Sequence, residues 1–203
     1  MVRGEPQGRP SEARSRLLNT ATRVFYAEGI HSVGIDRIVA EAQVTRATLY
    51  RHFPGKEDLV LAYLNQVDEA MRAQADRAAD GGLSAADTIR ALSESIAQGI
   101  QSSGFRGCAF LNAAAEYPDP DHPVHLAVLA HRQWFLDTVT ELMARVQEAP
   151  AEAAARHFVM LRDGAMAAGC LFDPTLVCDT FLRGVEGLLR VHAASDPADS
   201  AVA

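Results

Sequence analysis

The chain has 203 residues, 48% of them apolar and 22% charged, with a formal net charge of -7. That composition fits an ordinary globular protein with enough length for one large or two small domains. No run approaches the ~20 charge-free apolar residues that span a membrane, and the opening MVRGEPQGRPSEARSR lacks the apolar core of a signal peptide, so a cytoplasmic location is expected. Cys108, Cys170 and Cys178 are too few and too scattered for a disulfide framework. The charge is unevenly spread. Residues 1–56 hold nine bases and five acids, a balance of +4, and the remainder stands at -11. A basic end on an acidic body points to one part that meets a polyanion and another with a different task.

In chain order, residues 1–10 are rich in Gly, Pro and Arg and read as a disordered arm. Ser11 is an N-cap for a first helix in which Leu17, Leu18, Ala21, Val24 and Phe25 recur at helical spacing, and Gly29 stops it. A short second helix is predicted from about Ile35 to Ala42, followed by a turn at Gln43-Val44. In the third, Thr45 is the N-cap, Val44 and Leu49 occupy staple positions, and Phe53 follows one turn later. Only Leu49 and Phe53 need to face inward. Arg46, Ala47, Tyr50 and Arg51 are left on an outer face that no core requirement explains. Pro54-Gly55 ends this helix.

Helix four is predicted from Lys56 to about Asp80, and helix five follows Ser84 in a capping-box variant with Asp87. GCAFLNAAAEYP reads as a short buried helix and PDPDHP as a rigid connector. Helix seven is predicted to about Ala149 with Leu126, Leu129, Trp134, Val139, Leu142 and Val146 as apolar positions. Helix eight runs from about Ala151 to Leu171; helix nine is capped by Asp173 with Pro174 in its first turn and carries Phe181, Gly184, Val185, Leu188 and Val191. The tail from Ser195 reads as disordered. The fold class is therefore all-α, about nine helices.

Two short helices joined by a tight turn, the second with a basic outer face, form the helix-turn-helix arrangement. The stretch Leu17 to Leu64 resembles the DNA-binding domain of the TetR (tetracycline-repressor-like) family, through Phe25 and Gly29, Ile38 and Ala42, and above all TLYRHFPGKEDL from Thr48 to Leu59. The resemblance covers about a quarter of the chain. It departs where the family usually has Gly in the turn and this chain has Gln43, and where a Ser or Thr commonly opens helix two and Val33-Gly34 stands instead.

The resemblance implies a helix-turn-helix domain over residues 11–55 and an effector-binding and dimerisation domain over 56–194, with helix four as connector. It implies a repressor that binds palindromic double-stranded operator DNA as a dimer and leaves it when a small molecule binds. The expected DNA contacts are Thr45, Arg46, Ala47, Thr48, Tyr50, Arg51, His52 and Lys56. Arg46 is placed for base readout and Tyr50 for a phosphate. Lys56 lies in the first turn of helix four, where the dipole disfavours a cation, so a phosphate gives it a reason. Polar groups inside apolar helices give an expected effector lining of Asn112, Glu116, His131, Trp134 and Asp163, with Phe110, Phe135, Met160 and Met166 as apolar wall. Helices eight and nine are expected to pair two copies through Ala165, Ala168, Gly169, Phe181, Gly184 and Leu188.

Other readings keep the same fold. A metal sensor would draw on Cys108, His122, His125 and His131, and a thiol sensor on Cys170 and Cys178. A helical enzyme is the remote alternative. No phosphate loop, G-x-S-x-G or H-E-x-x-H is present, and no cofactor is expected.

Overall fold

The computed structural model describes residues 11–147 and 151–194; the expected N-terminal arm and C-terminal tail lie outside the described residues. Among the described residues there are nine α-helices and no strand. They are α1 (Glu12–Glu28), α2 (Ile35–Glu41), α3 (Arg46–His52), α4 (Lys56–Asp80), α5 (Ala85–Gln101), α6 (Ala109–Glu116), α7 (Pro123–Gln147), α8 (Glu152–Ala168) and α9 (Pro174–Ala194).

The cap residues act as their chemistry dictates. The Ser11 hydroxyl accepts from the Arg14 amide, and Gly29 ends α1 at φ +91°, a conformation that strains any residue with a Cβ. Gln43 takes the turn between α2 and α3 at φ +52°, so the positive φ is borne by a residue with a side chain. Thr45 accepts from the Thr48 amide at 3.1 Å, and Asp58 accepts from the Gly55 amide at 2.8 Å across the start of α4. In α5 the Ser84 hydroxyl accepts from the Asp87 amide and donates to the Asp87 carboxylate. Asp173 accepts from the Thr175 amide at the head of α9.

The apolar residues gather in two cores. Leu17, Val24, Phe25, Ile38, Leu49, Leu59 and Tyr63 of the first four helices share one with Phe110 and Ala113 of α6 and Val124 and Val128 of α7. Ile89 and Ile100 of α5, Phe135, Val139 and Met143 of α7, Phe158 of α8 and Phe181 and Val185 of α9 make the other. Met166 packs against both. The short helix α6 is thus a bracket beneath the N-terminal helices.

Two expectations for α7 fail: Leu126 and Leu129 are half exposed. Val124, Val128 and His131, spaced four and three apart, use up the face that meets α4 and α6. Val191 of α9, also expected on the apolar face, is exposed.

Gly169 after α8 and Gly184 of α9 pack within the chain. A Cβ on Gly169 would lie 2.5 Å from the Ile100 Cγ2 and 3.2 Å from the Phe105 ring, whereas one on Gly184 would rest 3.4 Å from a Leu161 methyl. Gly169→Ala is therefore expected to cost about 1–3 kcal/mol through overpacking. Gly184→Ala is expected to be neutral or stabilising, because it removes unfolded-chain entropy without a clash. Denaturant melts of the two variants check the contrast.

Candidate nucleic-acid interface and effector site

Helix α3 is held from below and bare above. Leu49 is wholly buried and Phe53 nearly so, while Arg46, Ala47, Tyr50 and Arg51 are exposed. Thr45 and Thr48 are tied to each other at the cap, with their hydroxyl oxygens 3.0 Å apart.

The cations of this end divide into paired and unpaired. Arg23, Arg37, Glu28 and Glu41 form one ion-pair network over α1 and α2, which holds the Arg37 guanidinium above and the Glu41 carboxyl below their ordinary ranges. Arg46 donates from Nε to Asp36 Oδ1 at 2.6 Å, and this hydrogen bond raises its pKa. Sequence reasoning missed Asp36, because the turn that brings α2 beside the first residue of α3 has no signature in spacing. Arg51 and Lys56 make no ion pair among the described residues. Lys56 is half-buried at the start of α4, where loss of water pulls its pKa below the usual lysine range against the opposing pull of Glu116. His52 is half-buried, its Nε2 3.0 Å from the Ser11 hydroxyl, so it fastens the end of α3 to the head of α1.

The expected effector lining is separated by the structure. Glu116 lies under the recognition domain, accepting from the Ile30 amide at 2.8 Å and the His31 amide at 2.6 Å. Asn112 is exposed and donates to the Arg106 carbonyl. Met160 is 70% exposed on the outer side of α8. The rest converge. His131 is buried, stacked on Phe110 with ring centroids 3.5 Å apart and bonded through Nδ1 to Asp68 Oδ1 at 2.6 Å. Trp134 lies beside it and under the Arg72 guanidinium. Phe135 follows in the second core, and Asp163 accepts from both Arg132 and Arg162. Asp68, Arg72, Arg132 and Arg162 were not singled out in the sequence, since on a helical wheel each passes for a surface charge.

Burial holds His131 below the ordinary imidazole value of 6.5, outweighing the nearby Asp68 carboxylate. Burial also pushes the Asp68 carboxyl up, but its bonds to Arg72 and His131 prevail and leave it below 3.8. Both groups bind protons more readily in the unfolded chain. Their stabilisation is complete above the unfolded values and is lost as pH falls, through His131 first, below about 6.5, and through Asp68 in more acid solution. His131→Asn keeps a donor for Asp68 but does not titrate, so its melting temperature is expected to fall less steeply than wild type between pH 7 and pH 5.

The residues of the other sensor readings have separate partners. Among the described residues no three His, Cys, Asp or Glu side chains converge as metal ligands. His122 accepts from the Val124 amide and His125 bonds the Tyr117 carbonyl, both stiffening the connector before α7. Cys178 is buried against the Ala97 carbonyl; Cys170 is exposed.

Helices α8 and α9 border an open groove of about 790 Å³, lined by Met160, Leu161, Ala168, Phe172, Leu176 and Leu188 among others. Phe172 and Leu176 are two-thirds exposed there. Of the small residues expected at a dimer interface, Ala165 and Ala168 face this groove, as do Phe181 and Leu188. Gly169 and Gly184 are the intrachain contacts described above.

Comparison with known proteins agrees with this geometry. Residues 17–63 match the family described as "Bacterial regulatory proteins, tetR family". A TetR-family transcriptional regulator from Streptomyces coelicolor, SCO4454, is 71% identical, with 90% of this chain and 97% of that chain covered and a TM-score of 0.88. The transcriptional regulator AcuR of Cereibacter sphaeroides is 27% identical over 98% of this chain and 86% of its own length. The regulator YjdC of Escherichia coli is 23% identical over 87% of this chain and 93% of its own. With a helix-turn-helix whose outer face is free of core duties, and 71% identity to a family member over nearly the whole length, the chain belongs to the TetR family of DNA-binding transcriptional regulators.

Proposed function

We propose that the protein is a dimeric repressor that binds a palindromic operator and is released by a small-molecule effector held in the body. The observation that carries this reading is the outer face of α3, where Arg46, Ala47, Tyr50 and Arg51 stand exposed on a helix fixed from beneath by Leu49 and Phe53. Arg46, steered by Asp36, reads a base; Tyr50, Arg51 and Lys56 grip phosphates, with the start of α4 adding its dipole. The apolar groove of α8 and α9 supports pairing of two copies, which would place two recognition helices roughly 34 Å apart, one turn of DNA.

The body can influence that separation through two links. His131 on α7 bonds Asp68 on α4, the helix that begins with Lys56, and Glu116 on α6 holds the loop after α1. An effector that prefers one arrangement of α4, α6 and α7 shifts operator affinity by its differential binding.

DNA selection with the purified protein supplies the operator for the test. Arg46→Ala is expected to lose about 1–3 kcal/mol at one operator position and relax specificity there. Tyr50→Phe and Lys56→Ala are expected to weaken all sites alike, and Lys56→Ala to reduce the salt slope by about one. Wild-type affinity and salt slope in all three variants would reject this use of α3.

A further inference from the structure

In the second core, two guanidinium groups share one carboxylate. Asp163 accepts from Arg132 Nη1 at 2.9 Å and from Arg162 Nη1 at 2.8 Å. The other carboxylate of the region, Asp68, is engaged by Arg72 and His131. The Arg162 side chain is only 4% exposed, and beyond Asp163 it meets the Cys108 sulfur at 3.4 Å and the Phe135 ring at 5.3 Å. Its Nε is buried with no hydrogen-bond partner, an orphan of that kind among the described residues. A buried guanidinium that shares its one counter-charge with a second arginine and leaves an N–H unused is costly unless a further acceptor completes it.

We propose that Arg162 is the anchor of an effector site for a small organic carboxylate, whose oxygen accepts from Nε and supplies the missing negative charge. The proposal rests on the reading that the body binds an effector and names its chemical class. A water molecule could satisfy Nε but would leave two guanidinium groups on one carboxylate. The surroundings select an organic anion over an inorganic one: Phe135 and the Cys108 thiol flank the guanidinium, and Phe110 and Met166 belong to the adjoining packing. Charge-assisted bonds to guanidinium favour a carboxylate over its neutral amide.

The test uses the full chain and a thermal-shift titration with acetate, butyrate and benzoate, each against its amide, and against chloride and inorganic phosphate at matched ionic strength. At least one carboxylate is expected to raise the melting temperature saturably, with its amide and the inorganic ions weaker by about tenfold or more. Arg162→Lys is expected to weaken that carboxylate about tenfold or more, and Arg162→Met to abolish its effect. Unliganded Arg162→Met is expected to melt no lower than wild type, since it removes the orphan donor and leaves Asp163 to Arg132. No saturable carboxylate, an equally effective amide or inorganic ion, unchanged binding by Arg162→Met, or a large fall in its unliganded melting temperature overturns the proposal. The two readings separate cleanly. A carboxylate that binds through Arg162 without altering operator affinity leaves the site standing and removes the effector role. Release from the operator by a neutral compound alone does the reverse.

Discussion

Leu176→Glu is expected to convert the protein to a monomer and to reduce affinity for a palindromic operator by about a hundredfold or more, while binding to an isolated half-site is unchanged. Leu176 is 67% exposed near the start of α9 and lines the apolar groove, so the substitution leaves the fold of one copy intact. In a two-fold pair the same patch meets itself, which sets each new carboxylate in an apolar face with no counter-charge. Loss of pairing costs the effective concentration that makes the second half-site contact intramolecular, typically 10²–10⁴ in avidity. Light scattering or sedimentation reads the assembly state, and fluorescence anisotropy on full and half operators reads the binding. A Leu176→Glu protein that remains dimeric and binds the palindrome as wild type does would show that the copies pair through another face.

This prediction differs from the one the sequence suggests, and the reason is physical. Helix α9 carries apolar residues on two sides: Cys178, Val185 and Leu189 are buried in the chain, whereas Leu176 and Leu188 border the groove and Phe181 lies between the two. A helical wheel shows both stripes and cannot say which one its own chain covers. Small residues drew attention because they allow close approach, yet Gly169 is needed against Ile100 inside the chain. The recognition helix was more legible. A seven-residue helix capped by Thr45 and pinned by Leu49 has so few inward positions that its outward ones follow by elimination. Its electrostatics were not legible, because pairing depends on distance in space. Among the described residues of the basic N-terminal segment, Arg16, Arg23, Arg37 and Arg46 are taken up in ion pairs and Arg14 lies over the Phe53 ring, whereas Arg51 and Lys56 make no ion pair. For the body, the sequence signalled His131 and Trp134 but not Arg162, since an arginine in a helix is ordinarily a surface residue.

Glu116→Ala is the second large effect, expected to destabilise the protein by about 3 kcal/mol or more, since each hydrogen bond to a charged acceptor contributes about 1.5–3 kcal/mol. Glu116 is the last residue of α6, where the negative end of the helix dipole disfavours a carboxylate. Its presence there is offset by the two amides it receives, from Ile30 and His31, at the point where α1 gives way to the turn before α2. Ile30 is buried, so its amide has no ready access to water once the acceptor is gone. Tyr26 makes a parallel link, donating to the Gly107 carbonyl and accepting from the Arg106 amide on the other side of α6, and that link remains in the variant. The recognition domain should therefore stay folded but hold less firmly to the body. For a chain of this size the melting temperature should fall by roughly 6–12 °C, and Glu116→Gln, which retains one acceptor oxygen, should fall less. Hydrogen exchange should quicken at Ile30 and His31 before it changes in α3. If the link also carries the effector signal, Glu116→Ala should keep most of its operator affinity while its response to a bound effector shrinks. An unaltered melting temperature with unaltered exchange at those two amides would show that α6 neither braces the recognition domain nor speaks to it.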